Sequence, residues 1–426
     1  MIFWPTSCAC NYSQFPDFKR KSIMSTAVML SLPEAGHLNA LFPLIAELVQ
    51  RGERVIVYAV EPFRQTLEAT GAEYRSYSNP QALIPPAHEG GLFSVMNYLA
   101  SASEAVLPAL LDELRTDPPN YLLMDAMSHW GNLAQQILDL PAITYATTFV
   151  THPQMPSEQL IQMSYQQLPK EVMLSGIDAL HGYFERTQRL DRQYGTRSPN
   201  IVQAFSNPQE LNILFTSREF HPGGQQFDEV RYKFVGPSVG QRAEATEFPF
   251  DQLSDAPLVF VSLGTIFNER PDFYQACFGA LGDLPVQVVL SVGDKIDQET
   301  LGTMPANFMV RSYVPQLELL QRAALFITHG GMNSASEGLL YGVPLLVVPQ
   351  HGDQFLVASQ VAEIGAGTML PAAQASAEAL KGLSMQIISD PQFKARAQAL
   401  SESFRASGGH VRAADEILTY MKQAHK

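Results

Sequence analysis

The chain has 426 residues, 46% hydrophobic and 16% charged, longer than one hydrophobic core usually organises, so two domains are the expectation. A net charge of −14, with Lys19-Arg20-Lys21 as its one dense basic stretch, argues against nucleic acid and anionic membrane as main partners, and no apolar run approaches the roughly 20 residues of a membrane-spanning helix. Three cysteines, Cys8, Cys10 and Cys277, make neither a disulfide framework nor a metal cluster, which fits a reducing cytoplasm.

Residues 1–23 are expected to be a loose extension. Their basic stretch and the apolar residues after it superficially suit a signal peptide, but that run is short and no small-x-small cleavage site follows. From Ala27 strand and helix alternate. VMLSLP reads as a strand, PEAGH as a loop, and LNALFPLIAELVQRG as an amphipathic helix with Leu38, Leu41, Phe42, Ile45, Leu48 and Val49 at helical spacing. Pro43 falls late for a first turn, so the helix is expected to begin irregularly. Gly52 stops it and RVIVYAV is the next strand, completing a right-handed βαβ unit in a parallel sheet. YLLMDA and AITYATTF follow as strands around a helix at WGNLAQQIL.

Residues 151–210, rich in Gln, Ser, Met and Tyr, carry no strand signal and read as a helical insertion, a lid or pocket wall. LNILFTS and KFVGPS return as strands. Residues 239–256 read as a linker, after which the alternation restarts at LVFVSLG. The expected organisation is a first α/β domain over 24–238, a second over 257–405, and a C-terminal helix in 406–426 able to pack back on the first domain. Two doubly wound parallel-sheet domains facing across a cleft follow, with ligands beyond the carboxyl ends of the strands.

The polar oddities fall at such ends. Strand LFIT runs into His329-Gly330-Gly331, and a helix is expected to open at Asn333-Ser334. The glycines allow close approach and the helix start offers free N–H groups, which suits a diphosphate; alone, these residues equally describe a helix cap beside a structural histidine. Glu337, one turn on, can accept ribose hydroxyls or be a solvated charge. Asp353-Gln354 can serve sugar hydroxyls, and Tyr313 with Gln316 can stack on and pair with a base. SLGT, including Ser262 and Thr265, ends another strand with small residues.

The chain resembles the bacterial macrolide-type branch of the nucleotide-sugar glycosyltransferases, related to plant and animal UDP-glycosyltransferases. The resemblance covers essentially 24–420. It rests on GHLNALFPLIAELVQRGERV, LLMDAMSHWGNLA, LNILFTSREF, KFVGPS, VSLGT and YVPQ, then on THGGMNSASEGLLYGVPLLVVPQHGDQ and ASGGHVRAADEI. It implies the GT-B fold of two Rossmann-like domains, with a UDP-sugar held by the C-terminal one and an apolar hydroxylated acceptor by the N-terminal one. Inverting transfer with no essential metal or other cofactor is implied too. Carried over, Gln316 would bind the uracil edge and Tyr313 would stack on the base. Ser262, Thr265, His329, Gly331, Asn333 and Ser334 would surround the diphosphate, Glu337 the ribose, and Asp353 with Gln354 the transferred sugar. Plant relatives usually have Trp where Tyr313 stands, and Ala40 replaces the usual proline after GHxN.

An alcohol needs a base to become a good nucleophile, and an imidazole near its ordinary pKa of about 6.5 suits that role. His37 is expected at a helix N-terminus, where the dipole would keep it neutral. Asp125, an acid ending an apolar strand, is the candidate partner. The resemblance puts the catalytic pair at the same two positions. The rival readings are a nucleotide-sugar epimerase and a non-catalytic auxiliary protein of the same fold. Six other histidines, His88, His129, His152, His181, His221 and His410, read as surface or structural.

Overall fold

The computed structural model describes residues 25–85, 91–158, 160–161, 170–240, 248–265 and 268–424. The expected N-terminal extension, His88 and the middle of the expected linker lie outside them. The first sheet comprises β1 (Thr26–Leu30), β2 (Arg54–Ala59), β3 (Glu73–Ser76), β4 (Tyr121–Asp125), β5 (Ala142–Ala146), β6 (Leu211–Leu214) and β7 (Tyr232–Phe234), ordered 3-2-1-4-5-6-7. The second comprises β8 (Leu258–Ser262), β9 (Gln287–Ser291), β10 (Phe308–Arg311), β11 (Ala323–Thr328), β12 (Leu345–Val347) and β13 (Gly367–Met369), ordered 10-9-8-11-12-13. All pairs are parallel. β4, β5 and β8 are buried along their whole length, as strands covered by helices on both faces must be. That is why they read as continuous apolar runs.

Strand order reverses between β1 and β4 in the first sheet and between β8 and β11 in the second. Chain leaving adjacent strands in opposite directions opens a crevice there, where ligands bind in open α/β sheets. His37 and Asp125 flank the first switch point. Ser262–Gly264 and His329–Gly331 flank the second.

The irregular helix start is observed. A short turn, Ala35–Leu38, precedes the main helix Phe42–Gln50, which takes Pro43 in its first turn, where a missing N–H costs nothing. Gly91–Thr116 and Lys170–Tyr194 form long helices, packed through a cluster that includes Phe93, Met96, Ala100 and Tyr183. No strand occurs among the described residues of 151–210.

The C-terminal helix Gly409–Ala424 returns to the first domain. Its Ala413, Ala414, Ile417 and Met421 are buried against Leu44, Ile45 and Leu48. The Gly409 N–H donates to the Val235 carbonyl at 2.6 Å, and Arg51 bonds Asp415 and the Val411 carbonyl. Ile417 is fully buried, so Ile417→Ala is expected to cost about 2–5 kcal/mol. Chemical denaturation should show a lower midpoint with an unchanged slope.

Candidate active site

β1 gives out at Leu30, and Ser31 and Leu32 lead into the turn that carries His37 as its third residue. Asp125 ends the neighbouring β4, whose Met124 stands in register with Leu30. Adjacent strands of one parallel sheet thus bring together residues 88 positions apart. His37 Nδ1 lies 2.8 Å from Asp125 Oδ2, and Asp125 Oδ1 accepts the Met127 N–H at 2.9 Å. Asp125 is 1% exposed, so its charge faces His37 with little solvent screening.

The neutral imidazole expected from a helix dipole is not what this environment gives. The Ala35–Leu38 turn is too short for a macrodipole, and His37 sits in its last turn. Burial pulls the His37 pKa down, but Asp125, by charge and hydrogen bond, with Glu34 and Asp353 adding charge, more than offsets it and leaves it at about 9. At neutral pH this environment favours the imidazolium form of His37.

In the second domain His329 is wedged between two glycine-bearing loops. Gly264 has φ +78°, and a Cβ there would lie 2.6 Å from His329 Cε1, while one at Gly331 would run into Nε2. Burial pushes the His329 pKa down to about 4 against a raising hydrogen bond to the Ser262 backbone. The ring is therefore neutral and sets the spacing of the two loops. Ser262 Oγ accepts the Gly264 N–H at 3.3 Å, and Asn268 Nδ2 donates to the Gly264 carbonyl at 3.0 Å. Thr265 is exposed beside them. The next helix opens one residue earlier than expected, at Met332, and Asn333 and half-buried Ser334 fill its first turn.

Gln316 Nε2 donates to Glu337 Oε2 at 2.6 Å, which joins the expected base-pairing and ribose-binding residues. Glu337 is 4% exposed and Tyr313 49% exposed. Gln354 Oε1 accepts the backbone N–H groups of Gln350 and His351 at 2.8 and 3.1 Å. Its oxygen braces the loop, and its NH₂ is the part left to donate. At the cleft, hydrogen bonds cross between the domains from Asn333 Nδ2 to the Gly36 carbonyl and from Thr148 Oγ1 to Asp353 Oδ2, each at 3.0 Å, and elsewhere Ser403 Oγ donates to Glu219 Oε2. The two switch points therefore face each other.

Sequence reasoning missed Thr148, Asn268 and the Arg270–Gln350 contact at 2.7 Å that steadies the Gln354 loop. None sits in a motif with chemistry of its own; only Thr148, just past a strand end, carried a positional signal. His129 and His221 are structural. His129 Nε2 donates to the Ala204 carbonyl, and burial pushes its pKa down to about 4. His221 donates from Nδ1 to the Pro222 carbonyl and accepts the Val150 N–H on Nε2.

Two parallel-sheet domains with opposed switch points, one bearing a histidine–carboxylate pair and the other glycine-rich loops before a helix, define a GT-B glycosyltransferase. The family model for the C-terminal domain of erythromycin biosynthesis protein CIII-like proteins matches residues 275–412. The uncharacterized UDP-glucosyltransferase YojK of Bacillus subtilis (strain 168) is 34% identical over 407 residues, covering 94% of this chain and 98% of that protein. The NDP-glycosyltransferase YjiC of Bacillus licheniformis is 35% identical over 407 residues, covering 93% and 98%. Among solved structures, the glycosyltransferase of kitacinnamycin superposes with a TM-score of 0.80 at 29% identity, covering 92% and 98%. The chain belongs to the UDP-glycosyltransferase family, in its macrolide-type branch, and is a UDP-dependent glycosyltransferase acting on small-molecule acceptors. No helix among the described residues is long and apolar enough to cross a membrane.

Proposed function

We propose that the protein transfers glucose from UDP-glucose, with inversion, to a hydroxyl of an apolar small molecule, with His37 as general base oriented by Asp125. The observation that carries this reading is the His37–Asp125 pair at 2.8 Å on the face opposite the glycine-rich loops. Glucose as the sugar is supported by the name of the Bacillus subtilis relative, and a natural-product acceptor by that of the kitacinnamycin enzyme.

In the step, the acceptor hydroxyl gives its proton to His37 Nε2 while Nδ1–H stays on Asp125. The oxygen attacks the anomeric carbon from the face away from the diphosphate. The bond from that carbon to the diphosphate oxygen breaks, and UDP leaves with the electron pair. The N–H groups opening the helix Met332–Leu340 face the leaving charge, an electrostatic role a metal plays elsewhere. Glu337 would take the ribose, Gln316 and Tyr313 the base, and Asp353 with the Gln354 amide the sugar hydroxyls. The cytoplasm is the compartment of this reading.

Incubation with UDP-glucose and a panel of phenols, macrolides and carotenoid alcohols, followed by mass spectrometry and proton NMR, tests it. A β-glucoside formed equally well in excess EDTA is expected. An α-glucoside would overturn inversion, and loss of turnover in EDTA would overturn metal independence. UDP-galactose without glycoside would establish the epimerase reading, and no product with any acceptor the auxiliary one.

A further inference from the structure

We infer that Asn333 is a positioning residue for the base: its side-chain amide ties the His37 turn to the donor-binding domain, so that base geometry depends on the two domains standing together. This rests on His37 being the base.

The Gly36 carbonyl immediately precedes His37. In a turn as short as Ala35–Leu38, carbonyls lack the N–H partners a longer helix supplies. The Asn39 N–H goes to the Ala35 carbonyl and the Leu41 N–H to that of Leu38. The Gly36 carbonyl instead accepts from Asn333 Nδ2, 297 residues away, at 3.0 Å. The turn's other backbone bonds are local: the His37 and Leu38 N–H groups donate to the Glu34 carbonyl, each at 3.0 Å, and the Glu34 N–H to that of Leu32. Glu34, its N-cap residue, makes no side-chain cap, and beyond the turn itself nothing packs within 4 Å of where a Cβ on Gly36 would sit. Buried Leu38 anchors one side and Asp125 holds the imidazole from behind. Asn333 is the tether from the front.

An amide NH₂ has two N–H donors. One is committed to Gly36, and the second can serve the diphosphate that the proposed function places at this helix start. A single side chain thereby links leaving group and base loop. The Thr148–Asp353 hydrogen bond ties the domains at a second point, so loss of Asn333 alone should free the base turn without opening the whole cleft.

The test compares Asn333→Ala and the isosteric Asn333→Asp, which sets a carboxylate against the Gly36 carbonyl, using two acceptors. One is an unactivated aliphatic alcohol that needs a base. The other is 4-nitrophenol, assayed where it is already ionised. We expect kcat with the alcohol to fall about 10–100-fold, the effect of a misplaced catalytic group. With the nitrophenolate, where proton removal is no longer needed, only the cost of the lost diphosphate contact should remain, so the loss with the alcohol should exceed it by about tenfold or more. In a His37→Ala background, Asn333→Ala should lower the residual alcohol rate by no more than it lowers the nitrophenolate rate, as residues acting through one another are non-additive. Equal losses with both acceptors, or additive losses in the double variant, would overturn the assignment and leave Asn333 a donor-binding group only. If His37→Ala alone turns over the alcohol normally, the base reading itself fails, whatever Asn333 does. Unchanged melting temperatures of both variants would separate these effects from unfolding.

Discussion

His37→Ala is expected to lower kcat with an unactivated alcohol by about 10²–10⁴-fold, the usual contribution of a general base, while UDP binds as before. The side chain belongs to the first domain, and its bonded neighbour is the buried carboxylate of Asp125. Nothing in that pair is part of the donor loops. Calorimetry should therefore report an unchanged UDP affinity. Normal turnover would remove His37 from the mechanism.

The same pair sets a pH dependence whose sign follows from its environment. Burial opposes the imidazolium, and Asp125 first, then Glu34 and Asp353, favour it, giving a His37 pKa of about 9. Only the neutral ring can accept a proton, so kcat/KM should rise with pH across neutrality and level off above about 9. Asp125→Asn removes the favourable charge and leaves the burial penalty, so the limb should move down by roughly one to two pH units. The plateau should fall too, because the imidazolium formed during transfer loses its stabilising partner. A limb that stays in place in Asp125→Asn would show that His37 is not the titrating group. A carboxylate that both raises the pKa and stabilises the product of proton transfer lowers the fraction of active enzyme at neutral pH and increases its basicity.

Much of this was legible in the sequence because parallel strands buried on both faces must be continuous apolar runs, and their ends mark where ligands bind. β1, β4, β8 and β11 were found in that way, and His37, Asp125 and His329 with them. The edge strands were not. β3 is four residues, EYRS, with one buried side chain, and β13 is Gly-Thr-Met; neither has enough residues for a period. The long helix Gly91–Thr116 was missed although its buried face runs through Met96, Leu99, Ser103, Val106, Leu107, Leu110 and Leu114. Small and polar residues interrupt that stripe, and Pro108 lies inside it. The state of His37 failed for a different reason. A dipole argument needs the length of the helix, and an ion pair needs the distance to Asp125, and neither is written in one segment. Cross-domain partners such as Thr148 and Gly36 are set by how two separate sheets dock, which local pattern does not encode.

Glu337→Ala is expected to weaken UDP-glucose binding by about 10–100-fold, with acceptor affinity unchanged. A buried carboxylate accepting ribose hydroxyls makes charge-assisted bonds of about 1.5–3 kcal/mol, and each 1.4 kcal/mol is about tenfold in affinity. The geometry adds a complication, because Glu337 also holds Gln316 at 2.6 Å. Truncation would free that amide, so part of the loss would pass through the base-binding residue. Glu337→Gln separates the two contributions. Its side-chain carbonyl can still accept from Gln316, whereas its acceptor strength toward hydroxyls is that of a neutral amide. Glu337→Gln should then retain more affinity than Glu337→Ala and still bind more weakly than the native protein. Comparing UDP with uracil-bearing fragments that lack the ribose sharpens this further. If Glu337 acts on the ribose, the fragments should bind the native and Gln forms alike. Equal weakening of both would mean that Glu337 works only by orienting Gln316, and unchanged UDP-glucose affinity in Glu337→Ala would remove it from the donor site altogether.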